Sequence, residues 1–234
     1  MRIGCIILAR YNSNRLPGKA LMQVGAKPIL LQIYQALETI FTKEKIVVAT
    51  SDSDTDEPIV SFCNTHQINF FRGSLDNVAE RFYLCAKYYQ YDFAFRINGD
   101  NLFVATDCIQ EMLKVVSQNP SYDFLSNVKN RTYPFGMSVE LVKISFYAHC
   151  LQKFLNNSHY QEHVTLYLYE HENLGKRQYF YNQTVPEAEG AHLAIDTPED
   201  LNLAKAIYSL MPEAGNTPEL SELIHYYQQA KKVK

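Results

Sequence analysis

The chain has 234 residues, 47% of them hydrophobic and 20% charged, with a formal charge of −3. That length suits one large α/β domain with a small addition for pairing between subunits, and the balance is that of an ordinary globular protein. Nothing in that balance suggests a nucleic-acid binder, which would usually show a basic face.

The elements alternate in type along the chain. Ile3 to Ala9 is an apolar run that predicts a strand buried on both faces. It is too short for a signal peptide and is followed at once by Arg10, and no run reaches the ~20 apolar residues of a membrane helix. A polar loop from Arg10 to Lys19 follows. Ile29, Leu30, Ile33, Leu37 and Ile40 then recur at helical spacing, with Pro28 suited to the first turn. Ile46 to Ala49 predicts a second strand, and Ser51 to Asp56 predicts the cap of a helix through Ile59, Val60 and Phe62. Asn69 to Arg72 predicts a third strand, with Asp76 opening a helix whose inner face is Val78, Phe82 and Ala86. Tyr91 to Ile97 predicts a fourth strand, ending in the turn Asn98-Gly99-Asp100-Asn101, and Asp107 to Val116 another helix.

These β-then-α units predict a mostly parallel sheet with helices on both faces, a three-layer Rossmann-like architecture. Ligands in such sheets bind beyond the carboxyl ends of the strands, where Arg10, Asp52, Arg72 and Asp100 would converge. After residue 120 the pattern loosens. Tyr122 to Asn127 and Ser138 to Val142 predict strands, Tyr160 to Glu170 a helix, and Arg177 to Thr184 and Leu193 to Ile195 extended segments. Thr197-Pro198-Glu199-Asp200 has the pattern of a helix start, with Leu201, Ala204, Ile207 and Leu210 on one face. Gly215, Asn216 and Pro218 break the chain before a final polar helix.

The Arg10–Lys19 loop holds three cations and a Pro-Gly turn directly after a buried strand. Such a loop can wrap a polyphosphate with side chains and backbone N–H groups aimed inward, and its composition fits an ordinary basic surface turn equally well. A P-loop is excluded, because GxxxxGK[ST] is absent and Ala20 follows Lys19. Asp52, Asp54 and Asp56 mimic the start of a calcium loop, but Glu57 replaces the required glycine and Cys63 the final glutamate, so helix capping explains them better. His159-Tyr160-Gln161-Glu162-His163 spells a zinc-protease pattern without a supporting neighbourhood. Five cysteines, an odd number with no CxxC, exclude a zinc ribbon, argue against a disulfide framework and fit reduced thiols in a cytoplasm.

In order, Ala9-Arg10, Ser13 and Arg15-Leu16-Pro17-Gly18-Lys19 resemble the N-terminal signature of the CMP-sugar synthetase (cytidylyltransferase) family, which spans the spore-coat-polysaccharide, acylneuraminate and Kdo branches. Phe71-Arg72-Gly73-Ser74 with Asp76 and Arg81 is similar to the family's segment beside the nucleoside. Arg96-Ile97-Asn98-Gly99-Asp100 resembles its RxxGD motif, departing at Asn98, where many relatives carry another small residue. Tyr133-Pro134-Phe135-Gly136 with Val139-Glu140 resembles the segment facing the acceptor, and Glu162-His163-Val164-Thr165 the spore-coat branch in particular. Ile195-Asp196-Thr197-Pro198-Glu199-Asp200 is similar to the C-terminal element.

The resemblance implies a nucleotide-diphospho-sugar transferase fold and a Mg2+-dependent transfer of CMP from CTP to an acidic sugar or related small acid, with release of pyrophosphate, for polysaccharide biosynthesis. It implies catalytic roles for Arg10, Lys19 and Asp100, and nucleotide contacts from Ala9, Arg10, Ser13, Arg15, Lys19, Arg72, Gly73, Asp76 and Arg96. Acceptor contacts would come from Tyr133, Glu140 and His163, and metal contacts from Asp100 and Asp196. A cytidylyltransferase-like domain over residues 1–212 is expected, with 122–183 as a dimerisation or acceptor-binding insertion and 213–234 as a helical tail. The expected assembly is a cytoplasmic homodimer that neither enters a membrane nor binds nucleic acid. Rival readings are a nucleotidyltransferase acting on a sugar phosphate or phosphonate with another nucleoside triphosphate, a GT-A-like glycosyltransferase, and a nucleotide-binding relative without turnover.

Overall fold

The computed structural model describes residues 1–13, 15–212 and 218–232; Asn14, Gly215, Asn216, Val233 and Lys234 lie outside the described residues. The elements in chain order are β1 (Ile3–Leu8), β2 (Gln23–Val24), β3 (Lys27–Pro28), α1 (Ile29–Glu38), β4 (Ile46–Ser51), α2 (Glu57–Thr65), β5 (Asn69–Gly73), α3 (Val78–Tyr88) and β6 (Phe93–Asn98). They continue with α4 (Thr106–Gln118), β7 (Phe124–Ser126), β8 (Glu140–Lys143), α5 (Ile144–Phe154), α6 (Ser158–Glu162), α7 (Leu166–Glu170), β9 (Arg177–Tyr179), α8 (Pro198–Leu210) and α9 (Leu220–Lys232).

The main sheet has the order β5-β4-β1-β6-β8-β7-β9. β5, β4, β1 and β6 run parallel, β8 runs against β6 and β7, and β9 returns parallel to β7. Alternate residues of the central strands feed two cores. Cys5 and Ile7 of β1 join Ile46 and Val48 of β4 and Phe95 of β6 on the face covered by α1, α4, α8 and α9. Ile6 and Leu8 join Val47, Ala49 and Ala94 on the face covered by α3, α5 and α7. This two-sided burial explains why the strands appear as unbroken apolar runs, and each fully buried aliphatic side chain contributes roughly 1.5–3 kcal/mol.

The expected four parallel strands and the helices between them are present, with ends shifted by one or two residues. Helix starts differ in their chemistry. Asp76 is exposed and the cap of α3 is Asn77, whose side chain accepts from Glu80 N at 3.0 Å. Asp56 is buried and makes no capping bond to α2, so the capping explanation fails for that residue. The helix expected over Tyr160 to Glu170 is broken in two at His163–Thr165, because Val164 is pulled inward, its carbonyl accepting from Tyr147 Oη at 2.6 Å. The extended segment from Arg177 pairs only as far as Tyr179, and Leu193 to Ile195 forms no ladder. Helix α5 was not foreseen: it follows β8 without a break or a side-chain cap, so its inner face of Ile144, Tyr147, Leu151 and Phe154 merges with the strand's apolar run. No helix among the described residues is long and apolar enough to cross a membrane.

Candidate active site

A cleft of about 390 Å³ opens beyond the carboxyl ends of β1 and β6. Ala9, Arg10, Ser13, Arg15 and Lys19 line it from the first loop, Arg96 and Asn98 from β6, Gly99 and Asp100 from the turn after it, Val78 and Arg81 from α3, Glu162 and His163 from the α6 end, and Asp196 from the approach to α8. A larger hollow between α1, α4 and α8 holds no such convergence of charge, and the chemistry favours the smaller cleft.

Backbone packing brings these segments together. Gly99 N donates to Leu8 O at 2.8 Å, and a Cβ on Gly99 would stand 2.9 Å from Ala9 Cβ, so only glycine lets the β6 turn press against the first loop. Gly18, at φ 74°, closes that loop by donating to Tyr11 O at 2.7 Å. Asp56 anchors the loop from behind: Oδ1 accepts from Tyr11 N at 2.7 Å, and Oδ2 from Thr50 Oγ1 and Ser51 N at 2.9 Å each. Burial pushes this carboxyl up, but the hydrogen bonds to Ser51, Tyr11 and Thr50 outweigh it and hold it below the usual range. The N–H groups of Tyr11, Ser13, Gly18 and Lys19 all donate within the protein and so do not point at a phosphate. The loop's side chains carry the charge instead.

Lys19 Nζ donates to Asp100 Oδ2 at 2.7 Å, Ile195 O at 2.9 Å and Asp196 Oδ1 at 3.0 Å. Arg15 Nη2 lies 3.0 Å from the same Asp196 oxygen. Partial burial alone would raise the Asp196 carboxyl; the hydrogen bond and charge of Lys19, with Arg15, lower it overall. The box that caps α8 steadies this corner, since Asp200 Oδ2 accepts from Thr197 N at 2.9 Å and Asp196 N at 3.1 Å. Three oxygens from two distant segments, Asp100 and Ile195–Asp196, thus surround one ammonium, a donor set of the hard oxygen type that suits Mg2+. Among the described residues no group of three or more His, Cys, Asp or Glu side chains could hold a metal.

The opposite wall is drier. Arg96 Nη1 lies 2.6 Å from Oε2 of Glu140, which is 2% exposed. Glu140 Oε1 accepts from Tyr169 Oη at 2.7 Å and Thr165 Oγ1 at 2.8 Å, and Tyr169 Oη is bonded in turn to Ser126 Oγ. Burial alone would pull the Arg96 guanidinium down, and Glu140 more than offsets it, holding it above the ordinary value. Arg81 is 2% exposed; Nη1 donates to Ser74 O at 2.7 Å, while Nε has no partner among the described residues. Burial draws its guanidinium down to about 10.

The other expected residues stand apart. Arg72 ties β5 to its neighbours through Ser51 O, Ser53 O and Glu57, Gly73 O accepts from Asp52 N, and Asp76 faces solvent; none of the three lines the cleft. Glu140 stands one layer behind Arg96. Tyr133 is buried against Cys108 in the α4-side core, where desolvation pushes its hydroxyl well up, and it does not line the cleft. Glu162 Oε1 and Arg10 Nη2 face each other at 3.6 Å across the cleft, so Glu162 belongs to an ion pair and not to the zinc-protease pattern. Sequence reasoning gave Asp56, Thr165 and Tyr169 no individual part in the site; each acts through a partner more than 20 residues away, which no local spacing reveals.

The profile of the cytidylyltransferase family matches residues 4–233, and the chain belongs to that family of nucleotidyltransferases, whose members act on sugar-related substrates. Among its relatives, an uncharacterized protein of Methanocaldococcus jannaschii is 34% identical over 87% of this chain and 82% of its own. The spore coat polysaccharide biosynthesis protein SpsF of Bacillus subtilis is 31% identical over 92% and 89%. A solved cytidylyltransferase from Leptospira borgpetersenii superposes with a TM-score of 0.90, at 25% identity, covering 100% of this chain and 96% of that one.

Proposed function

We propose that the protein transfers CMP from CTP to an acidic sugar or related small acid, with Mg2+ and release of pyrophosphate, in the assembly of a surface polysaccharide. The observation that carries this reading is the cleft itself: Arg10, Arg15, Lys19, Arg81 and Arg96 converge on one pocket together with Asp100 and Asp196, in a chain of the cytidylyltransferase family. The cations match a tetra-anionic triphosphate and an acidic acceptor, and the two carboxylates match a hard metal ion.

Arg10, Arg15 and Lys19 hold the β- and γ-phosphates, and Arg81 supplies a guanidinium that meets no carboxylate within ion-pair distance among the described residues. Asp100 and Asp196 would hold Mg2+, which supplies neutralisation of the triphosphate charge. Arg96, fixed by Glu140, and His163 orient the acceptor so that its oxygen lies in line with the α-phosphate. Bond formation to that oxygen and departure of pyrophosphate then need positioning and charge more than a protein nucleophile. Phe135 and Tyr181, 42% and 38% exposed within residues 122–183, are the aromatic contacts we assign to a homodimer. Five buried, free thiols fit the reducing cytoplasm in which we place the reaction.

The test is pyrophosphate release from each of the four nucleoside triphosphates with Mg2+ across a panel of acidic sugars. CTP together with one acid should release it. Release with another triphosphate, or with a sugar phosphate or phosphonate, would move the assignment to a different nucleotidyltransferase.

A further inference from the structure

Lys19 stands where a cation bound to both site aspartates would stand. Its ammonium directs its three protons at Asp100 Oδ2, Ile195 O and Asp196 Oδ1, at 2.7, 2.9 and 3.0 Å. The side chain is only 14% exposed, so little water screens these contacts. Arg15 reaches the same Asp196 oxygen but is 65% exposed and touches that oxygen from outside. Two carboxylates thus meet two cations, and the cluster is neutral before any ligand arrives.

We propose that Lys19 is a placeholder cation, which keeps free divalent metal off Asp100 and Asp196 and yields the site only to a metal that arrives with a triphosphate. The inference rests on the cytidylyltransferase reading and specifies its ligand as the metal–nucleotide chelate, not the bare ion. A divalent ion on those oxygens would share them with an ammonium, and like charges at that range in a part-buried cleft repel strongly. Expelling Lys19 with nothing to receive it is also unfavourable, because a long, flexible cation would give up three charge-assisted or carbonyl contacts. Phosphate oxygens remove both penalties at once: they accept the lysine as the metal takes the aspartates. Lysine suits the task, being a point charge on a four-carbon stem that can swing, where the planar fork of arginine is tied to one geometry. By linkage, nucleotide and metal then raise each other's affinity by one common factor.

The test is a Mn2+ titration without nucleotide, read from the EPR signal of the free ion, on the full-length protein and on Lys19→Met. Lys19→Gln serves as a second variant that keeps a polar group in the cluster, and a thermal melt checks that each variant is folded. Both variants should bind Mn2+ at least about tenfold more tightly than the unmodified protein, a difference of about 1.4 kcal/mol. Adding Asp100→Asn to Lys19→Met should abolish the gain. Folded Lys19 variants that bind Mn2+ no better than the unmodified protein would overturn the proposal. That outcome leaves the reaction assignment standing if pyrophosphate release from CTP still depends on Asp100. A gain that survives Asp100→Asn would overturn the proposal and the metal-site assignment together.

Discussion

Two cation–carboxylate clusters border the same cleft, the second reaching it only through Arg96, and they are built differently. In the first, Lys19 and Arg15 share Asp100 and Asp196, all four side chains keep some solvent contact, and one aspartate oxygen serves two partners. In the second, Arg96 meets a single carboxylate, Glu140, whose other oxygen is engaged by Thr165 and Tyr169. The first can exchange partners when a ligand arrives; the second has no spare acceptor and holds one arrangement. A reaction that must admit a highly charged nucleotide, yet aim a small acceptor within fractions of an ångström, needs both.

That contrast predicts effects of different kinds. Asp100→Ala should lower turnover by about 10³-fold or more while lowering the melting temperature less than loss of Glu140 does, because Lys19 keeps Ile195 O and Asp196 as partners. Kinetics and a thermal melt on one preparation check both halves. Glu140→Ala should do the reverse first: stranding the Arg96 charge against a buried wall costs about 3–5 kcal/mol, or very roughly 6–20 °C of melting temperature for a chain of this size. A stable Glu140→Ala protein would break the comparison. Tyr169→Phe removes one donor to Glu140 and should cost about 1 kcal/mol. It should raise KM for the acceptor and leave KM for CTP unchanged, and a shift in the CTP value would move Arg96 to the nucleotide side.

A pH-dependent effect belongs to Asp56, behind the Arg10–Lys19 loop. Its carboxyl is held below its ordinary value in the folded state. The stability it supplies is therefore complete above the unfolded value, about pH 4, and is lost as pH falls through the lowered folded value. Asp56→Asn should lower stability at pH 7 by about 1–3 kcal/mol and flatten the acid limb of the stability curve. An acid limb unchanged in slope would show that Asp56 does not anchor the loop.

The two clusters were not equally legible in the sequence. Arg15, Lys19, Asp100 and Asp196 fall in short ordered motifs after strands or before a helix cap, so their segments were visible and the parallel sheet explains why they meet. Glu140 and His163 were visible as motif members, but their surroundings were not. The break that turns Thr165 toward Glu140 depends on Val164 being drawn into a core that α5 helps to form, and α5 carried no start signal. Asp56 was misread as a cap because its partner Tyr11 lies 45 residues away. Tyr133, assigned to the acceptor by motif alone, packs in the core on the other side of the sheet.

The most direct test of the account is a crystal structure of the protein soaked with CTP and Mn2+, read for anomalous scattering from the metal. The account predicts a Mn2+ peak in contact with Asp100 and Asp196, with Lys19 moved onto the phosphates. A peak bound elsewhere, or nucleotide bound in the cleft with Lys19 still between the two aspartates, would contradict it.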